Sequence, residues 1–300
     1  MYKEILDFFK SNDVKYRESF VLRDVSSIKI GGVADVAAFP DSENKLIKSI
    51  EKIKEIGIRY RIVGRLSNTL VPDCGYRGIL LFVGGIDQQL INENGITLSC
   101  GVRLSSLLPQ FSREGIASFN ELYGIPGAVG GLVYNNAGAF SSEISDIFIS
   151  ARIYDAEEGK IYAIGKNEMR FAHRHSILRE NRRFILLSAT FEMKKDDTEN
   201  ILAAVREYSL KRRKTQPLEY PSLGSVFKKP SVGYAAEYID RIGLKGKAIG
   251  DAVVSHKHAG FIVNCGKATS HDYVALAYFV SKTVYKETGV LLEKEIEVLD

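Results

Sequence analysis

Residues 124–131 of the chain are Gly-Ile-Pro-Gly-Ala-Val-Gly-Gly, and residues 135–138 are Asn-Asn-Ala-Gly. Large side chains are scarce in this stretch, so its backbone N–H groups can approach an anionic diphosphate closely. A helix that begins near Gly131 would direct its positive end at the same ligand. The alternative for a glycine pair is a tight turn between domains, but the five glycines and two asparagines favour the phosphate-binding interpretation.

The spacing of these glycines excludes two common nucleotide-binding patterns. Pro126 lies inside the run and the order is not GxGxxG, which excludes a Rossmann fingerprint. Gly266-Lys267 lacks the upstream glycine and the following Ser or Thr of a P-loop. A second turn, Gly-Arg-Leu-Ser-Asn-Thr at residues 64–69, follows a strand predicted at residues 60–63. Together the two turns predict a dinucleotide cofactor.

Length and composition exclude several other classes. The chain has 300 residues, 45% of them apolar, which predicts two or three soluble domains rather than disorder. Its 41 Lys and Arg residues against 37 Asp and Glu residues leave a net charge of +4, too small to predict nucleic-acid binding. The longest apolar run, residues 273–280, is too short to cross a bilayer, and the N-terminus does not resemble a signal peptide. With three widely separated cysteines, we expect a cytoplasmic protein with reduced thiols that binds neither membranes nor nucleic acid.

Hydrophobic periodicity divides the chain into three parts. Residues 1–80 alternate helix and strand signals and predict a small α/β unit. Residues 81–214 are dominated by strand signals and predict a sheet-rich unit that ends in a bridging helix. Residues 215–294 predict a third, α+β unit, and a final strand at residues 295–300 is expected to complete the first part.

Within these parts, a few elements are predicted clearly. Residues 147–154 and 160–164 are expected to form a hairpin, because two strand patterns flank Glu-Glu-Gly. Helices are predicted over residues 198–213, 234–242 and 271–287 from apolar residues that recur at helical spacing.

Several polar residues have both a structural and a functional interpretation. Ser225, between Pro221 and Pro230, is by itself more typical of a turn than of catalysis, and no GxSxG or triad order is present. Arg174 lies in a basic loop whose two histidines lack a nearby carboxylate, so we expect no metal. Glu295, taken alone, is typical of a solvated strand edge.

The basic run Lys-Arg-Arg-Lys at residues 211–214 also has two interpretations. It ends a predicted helix, where cations complement the helix dipole. No aromatic platform accompanies it, so a phosphate of a small substrate fits this run better than nucleic acid.

Short motifs recur in a fixed order through most of the chain. They are Ile30-Gly31-Gly32 with Ala34-Asp35, Ser67-Asn68 with Asp73, Gly124 to Gly127 with Asn136-Ala137-Gly138, Arg174 with Ser176, Gln216-Pro217 with Gly224 to Lys228, Gly243 to Gly246, His258 to Asn264, and Leu292 to Ile296. In this order the motifs resemble the UDP-N-acetylenolpyruvoylglucosamine reductase family. Within that family the chain resembles the shorter subclass, which lacks an extra substrate-covering loop.

The resemblance implies a fold, a reaction and partners. The fold class is α+β, with a flavin-binding domain of the vanillyl-alcohol-oxidase (PCMH) type in two subdomains, followed by a smaller α+β substrate domain. The implied cofactor is noncovalent FAD, and NADPH is the reductant. The implied reaction reduces the enolpyruvyl group of UDP-N-acetylenolpyruvoylglucosamine to give UDP-N-acetylmuramate for peptidoglycan. We expect a monomer.

The resemblance also implies roles for individual residues. Ser225 would be the general acid that protonates the substrate carbon, and Arg174 and Glu295 would stabilise the enol-like intermediate. The predicted substrate-binding residues are Arg213, Lys228, Lys229 and Lys245. The predicted cofactor-binding residues are Gly64, Arg65, Leu66, Ser67, Asn68, Thr69, Gly124, Ile125, Pro126, Gly127, Val129, Gly130, Gly131, Asn135, Ala137 and Gly138. Because Gly130 is expected to face the diphosphate, a bulky residue there should exclude FAD.

Five positions depart from the family pattern, namely Val25, Ser26, Leu66, His173 and Lys229. They affect the expected FAD and UDP contacts but none of the three catalytic candidates. Two alternatives therefore stay open: an FAD-dependent oxidoreductase of the same fold with another substrate, and a non-catalytic relative that binds a UDP-sugar.

Overall fold

The structure is a computed structural model that describes residues 2–300. The helices are α1 (Lys3–Ser11), α2 (Glu43–Ile56), α3 (Leu104–Arg113), α4 (Val129–Tyr134), α5 (Ile144–Ile147), α6 (Ile177–Glu180), α7 (Thr198–Thr215), α8 (Ala235–Arg241) and α9 (Ser270–Thr288). The strands are β1 (Lys15–Val21), β2 (Val33–Phe39), β3 (Tyr60–Val63), β4 (Thr69–Leu70), β5 (Tyr76–Phe82), β6 (Gln89–Asn92), β7 (Gly95–Ser99), β8 (Gly138–Ala139), β9 (Ser142–Glu143), β10 (Phe148–Asp155), β11 (Lys160–Gly165), β12 (Phe184–Phe191), β13 (Ser222–Ser225), β14 (Ala248–Ile249), β15 (Ala252–Val254), β16 (Phe261–Asn264) and β17 (Glu297–Val298).

The chain forms two units built from interleaved segments. The first unit contains the chain up to Arg17 together with Val36–Arg65 and Gly78–Leu210, and the second contains Glu18–Asp35, Leu66–Arg77 and Lys211–Asp300. The early segments join the second unit because Ile28, Ile30 and Leu70 are buried in its hydrophobic core. The subdomain boundaries at residues 80, 214 and 294 stay a prediction.

The first unit contains a five-stranded antiparallel sheet in the order β11-β10-β12-β7-β6. The hairpin expected between residues 147 and 164 is confirmed, since β10 pairs with β11 from Ser150↔Gly165 to Asp155↔Lys160. Its turn is held by the buried Asp155, whose carboxylate accepts hydrogen bonds from the backbone N–H groups of Glu157 and Glu158 at 2.9 and 3.2 Å.

A second sheet, in the order β1-β2-β5-β3, accompanies helix α2. Strands β3 and β5 are parallel, and the segment between them is long enough for the crossover that a parallel pair needs. Helix α2 begins after Ser42, whose hydroxyl accepts a hydrogen bond from Lys45 N–H, and ends at Gly57, whose φ of +74° is favoured by glycine. Leu46, Ile50 and Ile53 form its buried face, as the periodicity predicts.

The second unit contains the sheet β13-β16-β15-β14 and the long helix α9. The predicted helix at residues 271–287 is confirmed with one further residue at each end. It buries Tyr273, Leu276 and Val280, among other residues, in the core of this unit. None of the helices within residues 2–300 has the length and apolar composition needed to cross a bilayer.

The C-terminal strand pairs with a distant segment. Strand β17 runs parallel to β4, with Glu297 opposite Thr69 and Val298 opposite Leu70. It is shorter than the strand predicted at residues 295–300. Its partner lies in the turn predicted to bind the cofactor, so this turn contacts the C-terminal segment.

The start of helix α9 is held by Asp73, which follows the same turn. The Asp73 carboxylate accepts hydrogen bonds from the Ser270 hydroxyl at 2.7 Å and from the Ser270 backbone N–H at 3.0 Å. The Asp73 N–H in turn donates to the Ser270 hydroxyl at 3.0 Å. A carboxylate at a helix N-terminus satisfies free N–H groups and complements the helix dipole.

We expect Asp73→Ala to lower the free energy of unfolding by about 1 to 2 kcal/mol, the usual loss when such a cap is removed. Asp73→Asn should retain part of this stability because its side chain still accepts hydrogen bonds. Urea unfolding measures the difference. Glu287→Ala, near the C-terminus of the same helix, is the control, and it should be neutral or slightly stabilising. Equal losses for both variants would contradict the assigned role of Asp73.

Candidate active site

The glycine-rich turn after β3 lies close to the longer glycine-rich stretch. A Cβ atom added to Gly64 would lie 3.8 Å from Cβ of Ala128. Next to Gly64, partial burial and the nearby Arg103 guanidinium lower the pKa of Arg65. Two cations held close together are typical of a site that attracts an anion. Arg103 is a member of this region that the sequence motifs do not indicate.

The backbone amides of this stretch have different partners. Val129 N–H donates to Val102 O and Gly130 N–H to Cys100 O, both at 2.8 Å. These two amides are therefore not free for a diphosphate. Within residues 2–300, the N–H groups of Gly127, Ala128 and Gly131 have no hydrogen-bond partner.

Gly130 and Gly131 differ in what a side chain would meet. A Cβ atom on Gly130 would lie 3.2 Å from Cys100 O, so this glycine allows α4 to pack closely on the residue after β7. A Cβ atom on Gly131 would meet nothing within 4 Å. The open side of the loop is therefore at Gly131, while a side chain at Gly130 would point at Cys100; contact between Gly130 and the cofactor stays a prediction. A free N–H and open space at Gly131 fit an anionic cofactor.

The remaining residues of this stretch have structural contacts. Ile125 N–H donates to Leu122 O at 2.9 Å, which closes a turn over residues 122–125 that includes Gly124 and precedes Pro126. Ala137 N–H donates to Leu132 O, which closes the end of α4. Asn135 accepts a hydrogen bond from the Arg179 guanidinium at 2.9 Å.

Residues 66–69 belong to the second unit. Leu66 is 3% exposed and has a φ of +51°, a left-handed conformation that favours glycine. The conformation explains why glycine is common at this position in the family pattern, and burial of the leucine side chain offsets part of the strain. Ser67 and Thr69 lie on either side of Asn68.

Asn68 contacts the segment that contains Glu295. Its side-chain amide donates to Glu295 O at 3.4 Å, and its own carbonyl accepts from Glu297 N–H at 3.0 Å. Glu295 N–H donates to Val226 O at 2.8 Å. The backbone of Glu295 is thus bonded on one side to the predicted cofactor turn and on the other to the residue after Ser225.

Ser225 is the last residue of β13, and it is partly exposed next to the buried Val226. It pairs with Phe261 of β16, after an irregularity at Gly224, whose φ is +79°. The irregularity bends β13, and Ser225 lies at the end of the strand. Just beyond it, residues 226–228 form backbone hydrogen bonds with residues 293–295. Ser225 and Glu295 are therefore brought together through their backbones in the second unit.

The predicted substrate-binding cations have different environments. Lys228 pairs with Glu293 at 3.2 Å, and Lys245 pairs with Asp240 at 2.5 Å. Lys229 lies over the Tyr234 ring, with Nζ 4.7 Å from its centroid. Arg213 is exposed in the last turn of α7, and its side chain has no ion pair within the described chain.

His258 lies in the turn before β16. Burial lowers the pKa of this imidazole, and the nearby Lys245 ammonium lowers it further, while its own backbone opposes the shift. Its Nδ1 atom accepts a hydrogen bond from Gly260 N–H at 3.1 Å, which assigns the proton of the neutral ring to Nε2. The ring is therefore neutral at neutral pH.

Arg174 belongs to the first unit, in a tight turn at residues 172–175. Its φ of +55° is unusual for a residue with a side chain. Its guanidinium donates to the carbonyls of Asn136 and Gly138 at 3.4 and 3.3 Å and lies 3.7 Å from the Glu143 carboxylate. Gly138 therefore contacts a predicted catalytic residue. Glu143 is missed by the sequence motifs, since its only local signal is that it caps α5.

No group of three or more His, Cys, Asp or Glu side chains within residues 2–300 is arranged to hold a metal ion. The acidic residues near Arg174 instead pair with arginine and histidine side chains, as in Glu180 with His175 and Arg170.

Two family models match the chain. The model described as FAD binding domain matches residues 34–165, and the model described as UDP-N-acetylenolpyruvoylglucosamine reductase, C-terminal domain, matches residues 216–299. The first match covers the glycine-rich turns, and the second covers Ser225 and Glu295.

Relatives with this name extend over nearly the whole chain. The UDP-N-acetylenolpyruvoylglucosamine reductase of Caldicellulosiruptor saccharolyticus is 42% identical over 289 residues, which cover 96% of this chain and 93% of the relative. That of Anoxybacillus flavithermus is 38% identical and covers 98% of this chain and 97% of the relative.

Solved structures give the same result for the fold. The crystal structure of UDP-N-acetylenolpyruvylglucosamine reductase from Thermus caldophilus superposes with a TM-score of 0.80, at 29% identity, over 96% of this chain and 99% of that chain. Physcomitrella patens BBE-like 1 superposes with a TM-score of 0.51 at 16% identity over 64% of this chain and 44% of its own, and it shows the fold alone.

These matches and the glycine-rich site define the class. The chain is an FAD-dependent oxidoreductase with the flavin-binding fold of the vanillyl-alcohol-oxidase type, which confirms the predicted fold class, cofactor and enzyme class. NADPH is the reductant, as predicted. The chain belongs to the UDP-N-acetylenolpyruvoylglucosamine reductase family.

Proposed function

We propose that the chain reduces the enolpyruvyl group of UDP-N-acetylenolpyruvoylglucosamine with NADPH, to supply UDP-N-acetylmuramate for peptidoglycan synthesis. We further propose that Ser225, Glu295 and Arg174 act on the reacting atoms. The observation that carries this proposal is the backbone bridge between the loops of Ser225 and Glu295, in a chain of this family. The bridge keeps two proton-handling side chains at one edge of the second unit.

The reaction needs a cation and a proton donor. FAD, when bound, supplies hydride from NADPH to C3 of the enolpyruvyl group. Negative charge then develops at C2 and the adjacent carboxylate, where the Arg174 guanidinium stabilises it. Glu295 acts on the same enol-like intermediate, and the Ser225 hydroxyl delivers a proton to C2.

Ser225 needs help to act as an acid, because a free serine hydroxyl is a weak one. Its developing alkoxide requires a nearby cation or N–H donor. The Val226 N–H is already bonded to Gly260 O at 2.9 Å, so it is not available. The Lys228 ammonium, three residues along the chain and partly neutralised by Glu293, is the group we assign to this role.

The cofactor and the substrate phosphates use different parts of the chain in this proposal. The N–H groups of Gly127, Ala128 and Gly131 hold the FAD diphosphate, with Arg65 nearby. Lys245, Lys229 and the exposed Arg213 bind the substrate diphosphate.

Replacing Arg213 tests the substrate-binding role. We expect Arg213→Gln to raise KM for the UDP-sugar roughly tenfold or more, since one charge-assisted hydrogen bond to phosphate is lost. Reduction of the flavin by NADPH should stay unchanged, because that half-reaction does not need the UDP-sugar.

The adjacent Lys214 is the matched control, because it is exposed in the same turn of α7. Lys214→Gln should change KM less than twofold to threefold, as expected for surface charges. If both variants raise KM equally, the effect is a general electrostatic one and Arg213 has no specific role.

Product analysis tests the reaction itself. Incubation with NADPH and UDP-N-acetylenolpyruvoylglucosamine should yield a product that has gained two hydrogen atoms, detected by mass spectrometry. UDP-N-acetylglucosamine, which lacks the enolpyruvyl group, should be unchanged. A flavin-containing protein that consumes NADPH but leaves the enolpyruvyl sugar unchanged would favour another substrate, and a protein without flavin would favour a non-catalytic relative.

The proposal also includes location and assembly. NADPH and nucleotide sugars are cytoplasmic metabolites, so we place the enzyme in the cytoplasm, without a membrane or nucleic-acid partner. We expect a monomer, which light scattering during gel filtration would measure as a mass near 33.4 kDa.

A further inference from the structure

The surroundings of Arg174 contain a carboxylate that the motifs do not indicate. Glu143, on β9, lies with its Oε1 atom 3.7 Å from Nη1 of Arg174. The same oxygen lies 3.5 Å from Nδ1 of His173. Only 19% of the Arg174 side chain is exposed, so water screens the charge of its guanidinium only weakly. A nearby anion therefore stabilises this partly buried cation.

Glu143 is itself held in place by the side chain of Asn136. The Asn136 amide nitrogen donates to Oε2 of Glu143 at 2.9 Å and to Ala172 O at 3.1 Å. The Asn136 carbonyl oxygen accepts from Ser145 N–H at 2.9 Å. Asn136 is only 1% exposed, so its polar atoms need these partners. One buried amide therefore links Glu143 to the turn that carries Arg174.

The glycine at residue 138 makes this arrangement possible. Gly138 pairs with Glu143 across the short β8–β9 ladder. A Cβ atom at Gly138 would lie 2.7 Å from Cγ of Glu143 and 2.8 Å from Ser142 O. Any larger residue would push the Glu143 side chain away from its present position.

Arg174 is held in a conformation that its own backbone disfavours. Its φ of +55° lies in the left-handed region, and the turn is closed by hydrogen bonds between Ala172 and His175 at 3.0 and 3.2 Å. Such strain persists where surrounding contacts hold the residue, and it is frequent at functional sites. The contacts here include two carbonyls and the Glu143 carboxylate.

We propose that Glu143 is a positioning residue that orients the Arg174 guanidinium for the charge that develops on the substrate. This inference rests on the proposed function. Hydrogen bonds from Nη1 and Nη2 to two carbonyls fix the plane of the guanidinium. The Glu143 carboxylate, which also lies near Nη1, sets its direction and balances its charge before substrate binds. Asn136 and Gly138 keep Glu143 in place.

The test uses Glu143→Gln, which keeps the shape of the side chain but removes its charge. An amide has one acceptor end and one donor end, whereas Glu143 faces Asn136 Nδ2 with one oxygen and Arg174 with the other. In either orientation of its amide, the glutamine therefore places its NH₂ group against a donor, either the Asn136 amide nitrogen or the Arg174 guanidinium. Glu180→Gln is the matched control, because Glu180 pairs with His175 and Arg170 near the same turn.

Three quantities are measured under anaerobic conditions: flavin reduction by NADPH, flavin reoxidation by the UDP-enolpyruvyl sugar, and the dissociation constant of that sugar for the oxidised enzyme. For Glu143→Gln we expect reduction at the wild-type rate and a limiting reoxidation rate roughly ten- to a hundredfold lower, the range expected from a misplaced catalytic group. The dissociation constant should change less than the rate. Arg174 interacts mainly with the negative charge that develops during the reaction, and this charge is absent when the sugar binds the oxidised enzyme. Glu180→Gln should match the wild type in all three.

A double-mutant cycle with Arg174→Gln separates this inference from the proposed function. If Glu143 acts through Arg174, then Glu143→Gln should have little further effect in the Arg174→Gln background. Wild-type reoxidation in Arg174→Gln would contradict the catalytic assignment of Arg174. Slow reoxidation in Arg174→Gln with wild-type reoxidation in Glu143→Gln would overturn the inference alone. Equal losses in both half-reactions with a lowered melting temperature would also overturn it, since they indicate a structural role.

Discussion

Replacing Ser225 with alanine should nearly abolish reoxidation of the flavin by substrate while leaving its reduction by NADPH at a near-normal rate. General acids contribute roughly 10²- to 10⁴-fold, and the upper end is expected where water cannot replace the hydroxyl. Reduction by NADPH requires no protonation of C2, so it does not need Ser225. Stopped-flow absorbance measures the two half-reactions separately.

The structure provides a control for this variant in the same strand. Ser222 begins β13 and pairs with Val263, whereas Ser225 ends it next to the segment of Glu295. Ser222→Ala should therefore behave like the wild type in both half-reactions. Ser225→Cys should retain some reoxidation, because a thiol also donates a proton. If Ser225→Ala is reoxidised by substrate at the wild-type rate, then Ser225 is only a turn residue and its proposed role fails.

Replacing Gly131 with valine should produce a folded protein that lacks flavin. A side chain at this position enters open space, in the same loop as the N–H groups of Gly127 and Ala128, which have no hydrogen-bond partner within residues 2–300. Valine is also a better helix former than glycine, so α4 should not be weakened. If the FAD diphosphate lies there, steric overlap should raise its dissociation constant roughly ten- to a hundredfold or more. The flavin absorbance per mole of purified protein measures the loss.

Gly130→Val should behave differently, because its side chain points at Cys100 inside the protein. We expect this variant to lose about 1 to 3 kcal/mol of stability from overpacking, with a lowered melting temperature. Gly131→Ala should keep both stability and flavin, since its methyl group is small. Full flavin occupancy in a well-folded Gly131→Val protein would remove this part of the loop from the cofactor site.

The elements with local signals were predictable from sequence. The hairpin of β10 and β11 has two alternating strands around Glu-Glu-Gly, and α9 has apolar residues at helical spacing. Both depend on residues close together in the chain. The glycine-rich stretch also indicated an anion-binding loop, because small residues leave the backbone accessible.

The contacts between distant segments were not predictable in the same way. Asn68 and Glu295 are 227 positions apart, and nothing in the local pattern of either segment specifies the other. Tertiary packing sets such pairs. Likewise, periodicity does not reveal that Val129 and Gly130 donate to carbonyls of the segment after β7, or that Glu143 lies beside Arg174.

The most direct test of the central claim is an anaerobic titration of the wild-type protein. NADPH should first bleach the flavin absorbance, and addition of UDP-N-acetylenolpyruvoylglucosamine should then restore it in proportion to the sugar added. UDP-N-acetylglucosamine added in its place should leave the flavin reduced. Bleaching by NADPH without recovery on addition of the enolpyruvyl sugar would contradict the proposed reaction.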